Sequence, residues 1–92
     1  EQNKARATVE GWRSQVLATT DRQRMQYSKQ RFQTLYPSIP VDWVHSNPYY
    51  KLQAGAFENK KDAMRILYTI KRDYPSAYTV LDKNIRPVEL LH

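Results

Sequence analysis

The sequence repeats itself at an offset of 38 residues. The tripeptide Tyr-Pro-Ser occurs at residues 36–38 and again at residues 74–76, and Gln15 is matched by Gln53 at the same spacing. The offset also pairs Trp12 with Tyr50, Arg13 with Lys51, Ala18 with Ala56, Asp21 with Asn59, and Phe32 with Ile70. A chain of 92 residues is too short for two independent domains, so the halves must share one core.

The first half has the pattern of a strand, a helix and a second strand. In residues 11–17, Trp12, Ser14 and Val16 alternate with Arg13, Gln15 and Leu17, which is typical of a strand with one polar face. Thr20 and Gln23 match a capping box and predict a helix that ends before Pro37. Residues 39–44 are mostly apolar and predict a second strand.

The second half follows the same plan. Residues 49–57 alternate as a strand, and a bulge at Gly55 would return Phe57 to the core face. Asn59 can cap a helix that Pro75 ends. Residues 77–81 read as a fourth strand, residues 82–84 as a turn, and residues 85–92 as an edge segment or a frayed end.

These elements predict an α+β fold, a split βαβ sandwich of the ferredoxin or RNP type. Two βαβ-like repeats would form a four-stranded antiparallel sheet with both helices on one face. We expect residues 1–10 to be a linker or lead-in, residues 11–88 to form the domain, and residues 89–92 to be a tail.

The other face of such a sheet is open to solvent, and its side chains are the candidate functional residues. Alternation places Tyr50, Leu52 and Ala54 towards the helices. The residues predicted on the open face are Arg13, Gln15, Tyr49, Lys51 and Gln53. One aromatic ring, two cations and two amides on a flat surface suit a polymeric ligand.

Charge and motifs narrow the function. Fifteen Lys and Arg residues against nine Asp and Glu give a net charge of +6, which favours an anionic partner such as nucleic acid, anionic lipid or an acidic polysaccharide. The absence of cysteine excludes disulfides, thiolate metal sites and a Cys nucleophile. The Gly-x-Ser-x-Gly and His-Glu-x-x-His patterns do not occur. We therefore expect a protein that is not an enzyme and has no cofactor or metal.

A family resemblance covers residues 11–88. The run Tyr-Tyr-Lys-Leu-Gln-Ala-Gly-Ala-Phe at residues 49–57, followed by Ala63 in the next helix, resembles the signature of the SPOR domain. The opening run at residues 11–16 resembles the first strand of that family, and Tyr-Pro after each helix is similar to SPOR-like proteins of the Bacteroides group. The resemblance implies the same sandwich fold.

The resemblance also implies a function. SPOR domains bind peptidoglycan, preferring septal glycan strands stripped of their stem peptides, through the open sheet face. The resemblance would make the chain a monomeric module that targets its parent protein within the periplasm or cell envelope. Its link to a membrane would be an upstream anchor, and it would have no nucleic-acid partner. Gln15 and Tyr49 match family positions, and Arg13 and Lys51 could pair with the lactyl carboxylates that amidases leave. Ala18 replaces a serine of the family pattern, and Ser14 replaces an apolar residue.

Two other classes fit the same elements. An RRM-like RNA-binding domain has this strand and helix order and also uses its open face, but its aromatic-rich central motif is missing here. A protein–protein assembly module could use the sheet face or the edge strand, with Trp43 and Tyr78 as exposed anchors.

Overall fold

The computed structural model describes residues 7–91, which form one sheet covered on one side by two helices. The strands are β1 (Val9–Thr19), β2 (Val41–Ser46), β3 (Tyr49–Phe57) and β4 (Tyr78–Ile85). Helix α1 (Arg22–Leu35) joins β1 to β2, helix α2 (Lys60–Ile70) joins β3 to β4, and a 3-10 turn, Pro87–Glu89, follows. The strands are antiparallel in the order β2-β3-β1-β4, which confirms the predicted sandwich with β1 and β3 at its centre. Within residues 7–91 no helix is long and apolar enough to cross a membrane.

The repeat is visible in the backbone. Gln15 and Gln53 are direct cross-strand partners, so the two halves meet at the middle of the sheet. The tyrosine that follows each helix also makes the same two backbone hydrogen bonds in both halves, since its amide donates to the carbonyl four residues earlier and its carbonyl accepts from the amide three residues later. In the first bond, the Tyr36 amide donates to the Phe32 carbonyl (2.8 Å) and the Tyr74 amide to the Ile70 carbonyl (3.0 Å). In the second, the Ile39 amide donates to the Tyr36 carbonyl (3.1 Å) and the Ala77 amide to the Tyr74 carbonyl (2.9 Å).

The core lies between the sheet and the helices and combines both halves. Its buried members are Val16, Phe32, Leu52, Ala54, Leu67, Ile70 and Ala77. The Phe32 ring contacts the rings of Tyr36 and Tyr74, with centroid distances of 5.0 and 5.8 Å. One side chain from α1 thus packs against the equivalent tyrosine of each half.

Two bulges decide which side chains enter this core. β1 carries an extra residue opposite β3 between Gln15 and Leu17, so that Leu17 also packs on the core; its predicted place on the polar face is wrong. β3 carries an extra residue opposite the Trp12–Ser14 stretch of β1. Gly55 lies there with a φ of 69°, and Phe57 is 5% exposed, as the predicted bulge requires.

The end of the chain differs from the prediction. The turn expected at residues 82–84 does not form, and β4 continues to Ile85, because β1 starts at Val9 and pairs with it there. Within the predicted lead-in, residues 1–6 lie outside the described residues. The predicted tail contacts the sheet, since the Leu91 amide donates to the Ala56 carbonyl at 2.8 Å; His92 lies outside the described residues.

Ser14 is the weak point expected in the core. It is fully buried, and its Oγ has no hydrogen-bond partner among the described residues. A buried hydroxyl without a partner costs about 1–3 kcal/mol of desolvation. We expect Ser14→Ala to raise the free energy of unfolding by about 1 kcal/mol, measured by urea denaturation. A lower stability for Ser14→Ala than for the wild type would mean that the hydroxyl has a partner in solution.

Candidate functional site

A row of three polar side chains crosses the sheet on the face away from the helices. The Gln53 amide nitrogen donates to the Gln15 carbonyl oxygen at 3.2 Å, and the Gln15 nitrogen donates to the Tyr78 hydroxyl at 2.8 Å. The three residues belong to β3, β1 and β4, so the row spans three neighbouring strands. We call Gln53, Gln15 and Tyr78 the amide row.

The amide row has a fixed direction. Gln15 is only 6% exposed, and both ends of its amide are satisfied within the row. This arrangement leaves the Gln53 carbonyl oxygen as an acceptor at one end and the Tyr78 O–H as a donor at the other. Tyr78 is 53% exposed, so its ring is also accessible to a ligand. The row can therefore accept a hydrogen bond from one ligand group and donate to another.

A groove lies beside Gln53 on the same face. It has a volume of about 370 Å³, which falls in the range of small-molecule sites. Its lining comes from β1, β2, β3, β4 and the C-terminal turn: Arg13, Pro40, Val41, Asp42, Trp43, Val44, Gln53, Gly55, Asp82 and Glu89. The groove thus combines apolar walls with one amide, one cation and three carboxylates.

Arg13, a predicted ligand contact, is already engaged. Its guanidinium forms ion pairs of 2.8 Å with Asp82 and with Glu89, and it donates to the Gly55 carbonyl at 3.2 Å. Burial disfavours the charged guanidinium, but the hydrogen bonds to the two carboxylates outweigh burial, and the pKa of Arg13 is raised. The hydrogen bond from Arg13 lowers the pKa of Glu89. Burial alone would raise the pKa of Asp82, but the hydrogen bonds from Arg13 and from the Asn84 backbone amide, together with the Arg13 charge, outweigh it, and the pKa of Asp82 is lowered.

The open face is therefore less basic than the sequence indicates. The charge of Arg13 is compensated by two carboxylates. Asp42 adds a third carboxylate to this face; its side chain is 84% exposed and lies 3.6 Å from the Lys29 amine. Lys51 forms no ion pair within the described part of the chain. It is the cation of this face that remains available to an anionic ligand.

Tyr49 and Lys51 lie on the same strand as Gln53, further from the groove. Alternate residues of a strand share a face and are about 7 Å apart, which places Tyr49 about 13 Å from Gln53. Tyr49 is 47% exposed, and its strand partner is Ser46. Lys51 is half-buried between Val44 and Ala18. Of the five predicted residues, Gln15 and Gln53 are in contact in the structure. Arg13 is held in ion pairs with Asp82 and Glu89, and Tyr49 and Lys51 lie apart from the groove.

Several residues of this face were not among the five predicted ligand contacts. Tyr78 follows the buried Ala77, and Asp42 lies between the half-buried Val41 and Trp43, so alternation could have placed both on the open face. No local signal points to Glu89, because the 3-10 turn carries it back to Arg13. Asp82 was not predicted on the face because residues 82–84 were expected to form a turn and not to continue β4.

Among the comparisons with known proteins, only the comparison of structures found a similar protein. A scan against models of protein families found no match, and a search of curated proteins found none either. Among solved structures, the chain is similar to the peptidoglycan-binding domain of the B. subtilis cell wall lytic enzyme CwlC, solved in solution. The two share 17% sequence identity at a TM-score of 0.64, over 84% of this chain and 95% of that one. At this identity the likeness establishes the fold: the chain has the fold of that peptidoglycan-binding domain.

Proposed function

We propose that the chain is a non-catalytic peptidoglycan-binding domain that recognises glycan strands on its open sheet face. The observation that carries the proposal is the amide row, a directed set of hydrogen-bonding groups on an uncovered sheet of this fold. Sugar hydroxyl and N-acetyl groups both donate and accept, so they match the free acceptor of Gln53 and the free donor of Tyr78. The C–H faces of sugar rings can stack on the exposed rings of Tyr78 and Tyr49.

We further propose that the glycan is denuded and septal, and that binding carries the parent protein to the division site in the cell envelope. Removing a stem peptide leaves one lactyl carboxylate on the muramic acid. Lys51 is the available cation for it, because Arg13 is held by Asp82 and Glu89. Because only Lys51 would pair with a ligand carboxylate, the affinity for denuded glycan should change little with salt concentration.

The same charges disfavour RNA on this face. Asp42, Asp82 and Glu89 line the groove, and these three carboxylates would repel the phosphates of a strand that lay in it. RNA binding through many phosphates would also fall by orders of magnitude between about 50 and 200 mM salt. The salt dependence therefore separates the two ligands.

The test is co-sedimentation with purified sacculi, with and without amidase treatment, beside a generic single-stranded RNA. We expect binding to sacculi that increases after amidase treatment. Gln53→Ala and Tyr78→Phe should each weaken binding by about fivefold, the worth of one hydrogen bond. Gln33→Ala, the same change on the exposed face of α1, is the matched control and should bind as the wild type does.

Coupling between the two variants tests the amide row itself. If Gln53 and Tyr78 act through one directed row, the double variant should lose less than the product of the single losses. Sacculus binding that survives the double variant unchanged would contradict the proposed site. Binding to RNA alone, with a steep loss in salt, would contradict the proposed function.

A further inference from the structure

The positive charge of the molecule is concentrated on the helices, opposite the groove. Outside the strands, residues 20–38 and 58–76 contain far more cations than carboxylates. The cations are Arg22, Arg24, Lys29, Arg31, Lys60, Lys61, Arg65, Lys71 and Arg72, and the carboxylates are Asp21, Glu58, Asp62 and Asp73. The sheet face, in contrast, carries Arg13 and Lys51 against Asp42, Asp82 and Glu89. The net charge of +6 therefore does not belong to the groove.

The cations of α1 are largely occupied. Lys29 lies 3.6 Å from Asp42, and Arg31 lies 3.7 Å from Asp73 and over the Tyr74 ring. Arg22 lies over the ring of Trp43 at 5.8 Å. These groups already interact with other parts of the fold and are less available to a partner.

The cations of α2 and its C-terminal turn are different. Lys61, Arg65 and Arg72 are exposed and form no ion pair within residues 7–91. The spacing of four residues between Lys61 and Arg65 places them on the outer side of the helix, away from the buried Ala63 and Leu67, and Arg72 follows in the turn after the helix. We call these three residues, with Met64 and Tyr68, the α2 stripe.

Large apolar and amphipathic side chains lie between these cations. Tyr68 is 84% exposed and Met64 is 47% exposed, although the core of the domain is complete without them. A tyrosine ring flanked by arginines and lysines is typical of surfaces that rest at a lipid–water interface, where the ring enters the headgroup region and the cations reach the phosphates.

We propose that the α2 stripe binds the surface of an anionic lipid bilayer. Charge complementarity supports a negatively charged partner, and the shape of the molecule supports a flat one. The domain measures 41 × 29 × 19 Å, so the helices form one broad side of a thin slab. Docking this side on a bilayer leaves the sheet face and its groove pointing away from the membrane. The inference does not depend on the ligand of the groove.

The test is co-sedimentation of the domain with phosphatidylcholine vesicles, with and without phosphatidylglycerol. We expect binding only to the vesicles that contain the anionic lipid. Each Lys or Arg near such a surface contributes about a fivefold change in affinity, so the double variant Lys61→Gln/Arg65→Gln should lose about 25-fold. Thermal melts should show that this variant remains folded, because both side chains are exposed.

The matched control removes the same charge elsewhere. Lys83→Gln/Arg86→Gln removes two formal charges at the end of β4 and beyond it, where Arg86 is paired with Glu89 at 3.1 Å, and should lose less than about fivefold. Tyr68→Gln, which keeps the charge, should weaken binding at a salt concentration that screens the cations.

Three results would overturn the proposal. The first is no binding to anionic vesicles at low salt. The second is an equal loss for the two double variants, which would mean that only net charge matters. The third is a stripe variant that loses single-stranded nucleic acid but keeps its affinity for vesicles, since the stripe would then serve a phosphodiester polymer.

Discussion

Replacement of Phe32 by alanine is expected to lower the free energy of unfolding by about 3–5 kcal/mol. Phe32 is completely buried, and its ring touches the tyrosine that precedes the proline after each helix, Tyr36 in the first half and Tyr74 in the second. Truncation would remove the burial of a whole ring and leave a cavity where the two halves meet. The measurement is urea denaturation followed by circular dichroism.

The matched control for Phe32→Ala is Tyr27→Ala. Tyr27 lies on the same helix but is 67% exposed, so its loss should change stability by less than about 0.5 kcal/mol. A single cooperative transition is expected for both variants, because the halves share one core. A Phe32→Ala protein within about 1 kcal/mol of the wild type would contradict the described packing of the helices on the sheet.

Replacement of Gly11 by alanine is expected to cost about 2–3 kcal/mol. A Cβ atom on Gly11 would lie 2.6 Å from the backbone oxygen of Phe57 and 2.9 Å from the Ile85 Cδ1. A side chain can rotate away, but the Phe57 oxygen can move only if β1 and β3 separate. This cost exceeds the gain of up to about 1 kcal/mol that alanine brings by restricting the unfolded chain.

The control for Gly11→Ala is Glu10→Ala, which changes the preceding and exposed residue of β1. It should leave the free energy of unfolding within about 0.5 kcal/mol of the wild type. If Gly11→Ala were as stable as Glu10→Ala, then β1 and β3 would not approach as closely as described.

Local patterns were sufficient for the architecture. The repeat, the cap signals at Thr20 and Asn59 and the breaks at Pro37 and Pro75 depend on residues close together in the chain, and they produced the correct order of strands and helices. The cap of α1 itself is Asp21 and not Thr20, because the Asp21 carboxylate accepts from the Gln23 and Arg24 amides. Alternation also placed Gln15 and Gln53 on one face, because the pleat of a strand is a local property. Where a bulge interrupts the pleat, as next to Leu17, alternation failed.

The sequence by itself therefore determined the fold and the polar character of the open face. Tertiary structure decided the charge of that face and the direction of its hydrogen bonds. Asp82 and Glu89 are 69 and 76 residues away from Arg13, and only the pairing of β1 with β4 and the final turn bring them within 2.8 Å. An ion pair compensates charge only at short distance, and no local pattern encodes that distance, so the cation that looked free in the sequence is held by two carboxylates in the folded domain.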